Sequence, residues 1–232
     1  MADLARRHAI VTGGGRGIGA AITKALREAG ARVTVMGRTR IAHESWIECD
    51  VADEASVKRA FAQAGPAAIL VNNAGQADAA PFLKTELELW RRMLDVNLTG
   101  TFLCTQAALP DMLAARFGRV VNIASIAGLE GMSHVSAYCA AKHGVVGLTR
   151  SLAKELAKDC VTVNAVCPGY VETDMVKKAV ANLMARGGSE AEARARLGRI
   201  IRPEEVAEVV MRLCESASQV TGQAIRLGGE AA

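Results

Sequence analysis

Seven short apolar segments, near residues 8–12, 32–36, 46–49, 68–72, 118–124, 160–166 and 223–227, alternate along this chain with longer stretches of helical periodicity. That alternation leaves few topologies open. Strands joined through a helix lie parallel, and right-handed crossovers cover both faces of the sheet. The expected fold is therefore α/β, a doubly wound parallel sheet of about seven strands with helices on both faces. In such a sheet, ligands bind beyond the carboxyl ends of the strands, where the direction of winding switches. The 232 residues, half of them apolar, are enough to bury a large core, and no Pro- or Ser-rich linker or internal repeat interrupts them. A single domain over residues 1–232 is expected.

The first apolar segment, HAIVT, runs into a glycine-rich turn, TGGGRGIG from Thr12 to Gly19, and then into AAITKALREAG, whose helical periodicity stops at Gly30. Strand, glycine turn and helix in that order suit an anion. Gly13 permits the tight bend, while Gly17 and Gly19 let a phosphate approach backbone N–H groups and the positive end of the helix dipole. The spacing G-x-x-x-G-x-G differs from the commoner dinucleotide fingerprint G-x-G-x-x-G. Taken alone, such a turn also serves any tight strand-to-helix connection in an α/β protein.

Farther along, Tyr138 and Lys142 stand four residues apart in SAYCAAKHG, so on a helix they share a face. A phenol of pKa about 10 is a poor proton donor or acceptor near neutrality unless its anion is stabilised. An ammonium group roughly 4 Å away, at an effective dielectric near 20, contributes about 4 kcal/mol, or about three pKa units. The pair therefore predicts a tyrosine whose pKa is brought down by its lysine.

With Ser125 upstream and further motifs in matching order, the chain resembles the short-chain dehydrogenase/reductase family, in its compact single-domain branch with a Rossmann-type fold. TGGGRGIG resembles the family's T-G-x-x-x-G-x-G cofactor turn, which implies that Gly13, Arg16, Gly17, Ile18 and Gly19 bind cofactor. Asp50 and Val51 resemble its adenine-contacting pair, and Asn72 to Gly75, with Asn73, Ala74 and Gly75 on the cofactor, its N-N-A-G segment. Asn97 in DVNLTG, Ser125 in NIASIAG, Tyr138 and Lys142 resemble its catalytic four. Pro168, Gly169, Val171 and Thr173 belong to a stretch resembling the P-G-x-x-x-T that covers the nicotinamide.

The resemblance implies an NAD(P)(H)-dependent oxidoreductase that moves hydride between a nicotinamide and a carbonyl or secondary alcohol. Tyr138 is expected to exchange a proton with the substrate oxygen, and Lys142 to lower its pKa and hold the nicotinamide ribose. Ser125 is expected to donate a hydrogen bond to the same oxygen, and Asn97 to hold a relay water. Seen singly, Ser125 is also a turn serine after a strand, and Asn97 an amide that satisfies the backbone. His134 and His143 flank the tyrosine, but the family mechanism needs no histidine.

Cofactor choice turns on the end of the second strand, where an acidic residue would chelate the adenosine ribose hydroxyls of NAD(H). Here VTVM is followed by Gly37 and Arg38. Guanidinium groups bind phosphate bidentately, so Arg16 and Arg38 favour NADP(H) over NAD(H). One departure from the family bears on this end of the cofactor. Only eleven residues separate Arg38 from Asp50 where family members place a full helix, so that helix is expected to be cut to a turn, with Arg40 a candidate for the lost contacts.

The stretch from about 170 to 202 is helical in periodicity with a break at Gly187 and Gly188, and in this family it closes over the substrate. Lys177, Lys178, Arg186, Arg194, Arg196 and Arg199 are candidates to meet an acyl carrier, the alternative being a solvated helix face. By overall resemblance the substrate is a 3-oxoacyl thioester on acyl-carrier protein or coenzyme A. An NAD-linked secondary alcohol, 3-hydroxyacyl or sugar dehydrogenase is the alternative, and a nucleotide-binding protein without turnover the third reading.

The net charge of +4 is modest and dispersed among acidic residues, which argues against nucleic acid as a partner. No apolar stretch approaches the length of a membrane span and MADLARRH has no apolar signal core, so a cytoplasmic protein is expected. The six cysteines show no C-x-x-C and no histidine at zinc spacing, and are read as reduced core residues with no metal. Small residues such as Ala108, Ala141, Gly144 and Gly147, in helices near 101–116 and 138–157, permit close packing. The family pairs through these two helices, which implies a homotetramer or dimer.

Overall fold

The computed structural model describes residues 4–41, 45–185 and 187–229. The strands fall where the apolar segments predict them: β1 His8–Thr12, β2 Arg32–Gly37, β3 Ser45–Glu48, β4 Ile69–Asn72, β5 Gly118–Ile123, β6 Val161–Pro168 and β7 Ala224–Leu227. They form a parallel sheet in the order β3-β2-β1-β4-β5-β6-β7. The chain winds outward from β1 in one direction and from β4 in the other, so the switch point lies between them.

The helices are α1 Gly17–Glu28, α2 Glu54–Ala64, α3 Leu87–Leu94, α4 Gly100–Ala114, α5 Ser136–Glu155, α6 Asp174–Met184, α7 Glu190–Leu197 and α8 Pro203–Cys214. Alternation along the strands feeds two cores. From β1, Ala9 and Val11 pack with Ile22 and Leu26 of α1 and Val206 and Val210 of α8. Ile10, between them, joins the opposite layer with Val57 of α2, Cys104 and Met112 of α4 and Ala153 of α5. With both faces covered, β1, β4, β5 and β6 are buried along their full length, as parallel strands must be. Each such Val, Leu or Ile contributes ~1.5–3 kcal/mol by leaving water.

Helices α6 and α7 stand apart from both cores, with a small cluster of their own made by Val176, Val180, Ala193 and Leu197. The expected break between them is present, with Gly187 at φ 99° and Gly188 at φ 122°. A bridge between Val171 and Ile201 ties the two ends of this excursion together beside the sheet.

Between β2 and β3, residues 38–41 are not helical, and 42–44 lie outside the described residues. Ile41 takes up some of the missing packing, since a Cβ on Gly15 would come within 2.7 Å of its Cγ2. Five of the six cysteines are buried and all are free. Cys160 departs from the expected core placement because it forms the turn into β6, with φ 58°, and is exposed.

Candidate active site

At the carboxyl end of β1 the chain turns through Gly13, at φ 64°, and the Gly13 N–H donates to the Met36 carbonyl at 2.7 Å. Thr12 then clamps two motifs together across the switch point. Its Oγ1 accepts from the N–H groups of Asn73 and Ala74 at 3.0 Å each, and Asn73 Nδ2 donates to the carbonyls of Thr12 and Gly13, also at 3.0 Å. The fit is close enough that a Cβ on Gly19 would overlap the Gly13 carbonyl oxygen and sit 2.5 Å from Asn73 Nδ2. Arg16 precedes α1 without capping it, so no N-cap side chain occupies the N–H groups of the first helical turn.

These residues fit a dinucleotide. The cradle is walled by glycines where a phosphate must approach the backbone, and Gln76 Nε2, next to Gly75, is one of five buried side-chain atoms without a hydrogen-bond partner among the described residues. A polar atom left in that state has bonding capacity that a ligand or water can complete.

Asn97 lies in a π-helical turn, Asp95–Thr99, that joins α3 to α4. The extra residue in this turn re-aims the side chain inward, as such turns do at functional sites. Asn97 is fully buried; its Nδ2 donates to the carbonyls of Gln76 and Met93 at 2.9 Å, and its Oδ1 accepts from the Gln76 N–H at 3.2 Å. Ser125 lies two residues beyond the end of β5, and its Oγ accepts from the Ala127 N–H at 3.1 Å, capping a short 3-10 turn. The two bland roles, backbone satisfaction and turn capping, are therefore real, and they fix the side chains in place.

Tyr138 and Lys142 share a face of α5, with the ammonium 5.7 Å from the ring centroid. Lys142 Nζ donates to the Ile123 carbonyl at 2.8 Å, at the end of the strand that leads to Ser125. A Cβ on Gly128 would lie 2.7 Å from the Lys142 carbonyl oxygen, so glycine there lets the Ser125 loop rest on α5. A Cβ on Gly75 would meet Asn97 Oδ1 at 2.8 Å and Lys142 Nζ at 3.7 Å. Asn97, Ser125 and the Tyr138–Lys142 pair, from three separate stretches of chain, thus converge.

The electrostatics differ from the expectation that Lys142 lowers the Tyr138 pKa. Burial pushes Tyr138 up to about 12, opposed by a hydrogen bond with Ser125. Burial likewise brings Lys142 down to about 8. Both shifts come from burial, which disfavours the charged form of each group, with Lys142 the more deeply buried of the two and Tyr138 half-buried. The site also holds Cys167, whose thiol burial pushes up while Lys142 pulls it down.

Pro168 ends β6, and Gly169 permits the C-terminal Gly228–Gly229 turn to pass, since a Cβ there would sit 2.8 Å from the Gly229 nitrogen. Val171 is buried in its bridge to Ile201, and Thr173, which donates to the Val171 carbonyl at 3.1 Å, touches the space above Gly17. At the other end of the cleft, Asp50 accepts from the Ala52 N–H at 3.0 Å, and Val51 packs under α4 at Gly100. Arg16 and Arg38 are both exposed and make no ion pair among the described residues. Ile18 is half-buried on α1 against the core.

The basic residues of the 170–202 stretch are mostly engaged within the chain. Lys177 pairs with Asp174, Lys178 with Asp78, Arg194 with Glu172 and Glu190, and Arg199 with Glu205. Arg186 lies outside the described residues. Three features escaped the sequence reading: the Thr12 clamp, the π-helical turn under Asn97, and the Gly228–Gly229 turn behind Ser125. The threonine at the head of the glycine turn was visible in the sequence; its partners sixty residues away were not.

The model of the short chain dehydrogenase family matches residues 7–183. The 3-oxoacyl-(acyl-carrier-protein) reductase of Aquifex aeolicus is 41% identical over 239 residues, covering 95% of each chain. The cis-4-hydroxycyclohexanecarboxylate dehydrogenase of Sinomonas cyclohexanicum is also 41% identical, over 97% of this chain and 96% of its own. Among solved structures, an actinorhodin polyketide ketoreductase with NADPH superposes with a TM-score of 0.85 at 38% identity, over 98% of this chain and 97% of that one.

Proposed function

This chain belongs to the short-chain dehydrogenase family and is an oxidoreductase, and from that premise we propose that it reduces 3-oxoacyl thioesters, carried on acyl-carrier protein or coenzyme A, with NADP(H). The convergence of Asn97, Ser125, Tyr138 and Lys142 beside a glycine cradle carries the reading. A bound nicotinamide would supply hydride to the carbonyl carbon. Tyr138 gives its hydroxyl proton to the carbonyl oxygen, and Ser125 donates a hydrogen bond to that same oxygen. Lys142 meets the negative charge left on the phenolate. With its proton affinity lowered to about 8, it exchanges protons with water near neutrality, as a relay must. Asn97, beside Gly75 and Lys142, holds the relay water.

The cofactor is held by the Gly13–Gly19 turn with Ile18, by Asp50 and Val51, by Asn73 to Gly75, and by Pro168, Gly169, Val171 and Thr173. The exposed Arg16 and Arg38, without an ion pair among the described residues, read the 2′-phosphate of NADP(H). A parallel fluorescence titration at matched ionic strength tests this. NADPH is expected to bind at least about tenfold tighter than NADH, a difference of ~1.4 kcal/mol. Equal or tighter binding of NADH sinks the assignment. For the substrate, turnover of a 3-oxoacyl thioester well above that of secondary alcohols or sugars is expected.

A second reading, an NAD-linked secondary-alcohol dehydrogenase, is favoured by the relative named for a hydroxycyclohexanecarboxylate. The ion pairs that occupy Lys177, Lys178, Arg194 and Arg199 weigh against a dedicated carrier-docking patch, although exposed pairs of this kind are weak enough to exchange partners. We assign residues 1–232 to one dinucleotide-binding domain of the cytoplasm, with 170–202 as its substrate lid. Exposed Phe102 and Leu113 on α4, and open space over Gly147 on α5, support a homotetramer or dimer. Sedimentation of only a 24.4 kDa species overturns that.

A further inference from the structure

Next to the cofactor cradle lies a cavity of about 410 Å³ whose lining includes Arg38, Asp50 and Ala52 on one side and Leu87, Arg91 and Val96 on the other. The first three come from the strand ends after β2 and β3. The others come from α3 and the π-helical turn that follows it. Leu87 and Arg91 are four residues apart and so share one face of α3. Leu87, at the rim of this cavity, is 59% exposed. Arg91 is exposed and makes no ion pair among the described residues, whereas its neighbour Arg92 pairs with Asp78 at 3.3 Å and Glu88 at 3.8 Å. An apolar side chain and a planar cation without an ion pair among the described residues thus line the same cavity as the residues expected at the adenine, beside the Glu88–Arg92 pair and Asp95.

We propose that this face of α3 is the second wall of the adenosine pocket, with Leu87 and Arg91 closing over one face of the purine while the Asp50–Ala52 segment supports it from the other side. The inference rests on the dinucleotide reading above. Its chemistry follows from the groups present: a guanidinium stacks on an aromatic ring, and a leucine gains by leaving water against one.

The test is a binding titration of the whole protein with 5′-ADP and with 2′,5′-ADP, comparing the wild type with Arg91→Gln and Leu87→Asn. Both positions are exposed, so the variants are expected to melt with the wild type. Each variant should bind both nucleotides about fivefold to tenfold more weakly, by a similar factor for the two. Unchanged affinity in both variants, with normal binding by the wild type, overturns this assignment and leaves the dinucleotide reading intact. A loss confined to 2′,5′-ADP also overturns it, since Arg91 would then be reading phosphate instead of the ring. Failure of the wild type to bind either nucleotide removes the dinucleotide reading and this inference together.

Discussion

The two ends of the cleft are built in opposite ways. At the catalytic end, Asn97, Ser125 and Lys142 are at most 9% exposed, and each is held by a hydrogen bond to the backbone of another segment or turn. At the proposed adenosine end, Arg16, Arg38 and Arg91 are exposed and form no ion pair among the described residues, and Leu87 is 59% exposed. The difference follows from what each end must do. Proton transfer requires groups pre-aimed in a site that excludes water, because reorganisation during the reaction is costly. Holding a phosphate and a flat ring requires only charge and surface, which several arrangements supply. At the second end, the described residues between β2 and β3, 38–41, are not helical.

The sharpest test of this division is Tyr138→Phe. Turnover is expected to fall by ~10²–10⁴ while NADPH affinity, measured by fluorescence, stays within about twofold. A matching loss of affinity breaks the separation between the two ends.

Lys142 offers the next test, through pH. Its folded form releases a proton near pH 8, whereas the unfolded chain holds it to about 10.5. Between those values the unfolded state binds more protons, so stability rises with pH. Denaturant unfolding at pH 7.5 and 9.5 should therefore show a gain in the wild type that is absent in Lys142→Met. Equal gains in both proteins mean that the catalytic end is wetter than described.

Gly19→Ala probes the join between the ends, where a Cβ would enter the Gly13 carbonyl and Asn73. Overpacking of this kind costs ~1–3 kcal/mol, readable as a lower melting temperature, and an unchanged melt removes the close fit. At the open end, Arg38→Ala should raise the KM for NADPH about tenfold, or ~1.4 kcal/mol, without affecting that for NADH. Smallest of all, Lys178→Ala breaks an exposed pair with Asp78 and should change stability by less than ~0.5 kcal/mol. A larger loss would make that pair a fastening of the 170–202 stretch.

Much of the fold was legible because it is written in local signals. The apolar runs mark β1 to β7 within a residue or two, and Gly187–Gly188 marks the break between α6 and α7. The motif residues were legible for a similar reason: a phosphate cradle needs glycine, and a shared helix face needs a spacing of four. The direction of the Tyr138 shift was not legible, because it depends on how much water the folded pocket excludes, which a pair of residue types does not specify.

Sequence alone therefore determined the parallel sheet, the order of its strands along the chain and the chemical types at the catalytic end, since periodicity and short-range spacing carry that information. Only the tertiary structure decided that Thr12 clamps Asn73 and Ala74, that a π-helical turn holds Asn97 buried, and that α3 borders the cavity lined by Arg38 and Asp50. Those contacts join residues many positions apart, and their geometry exists only after β1, β4 and α3 have packed together.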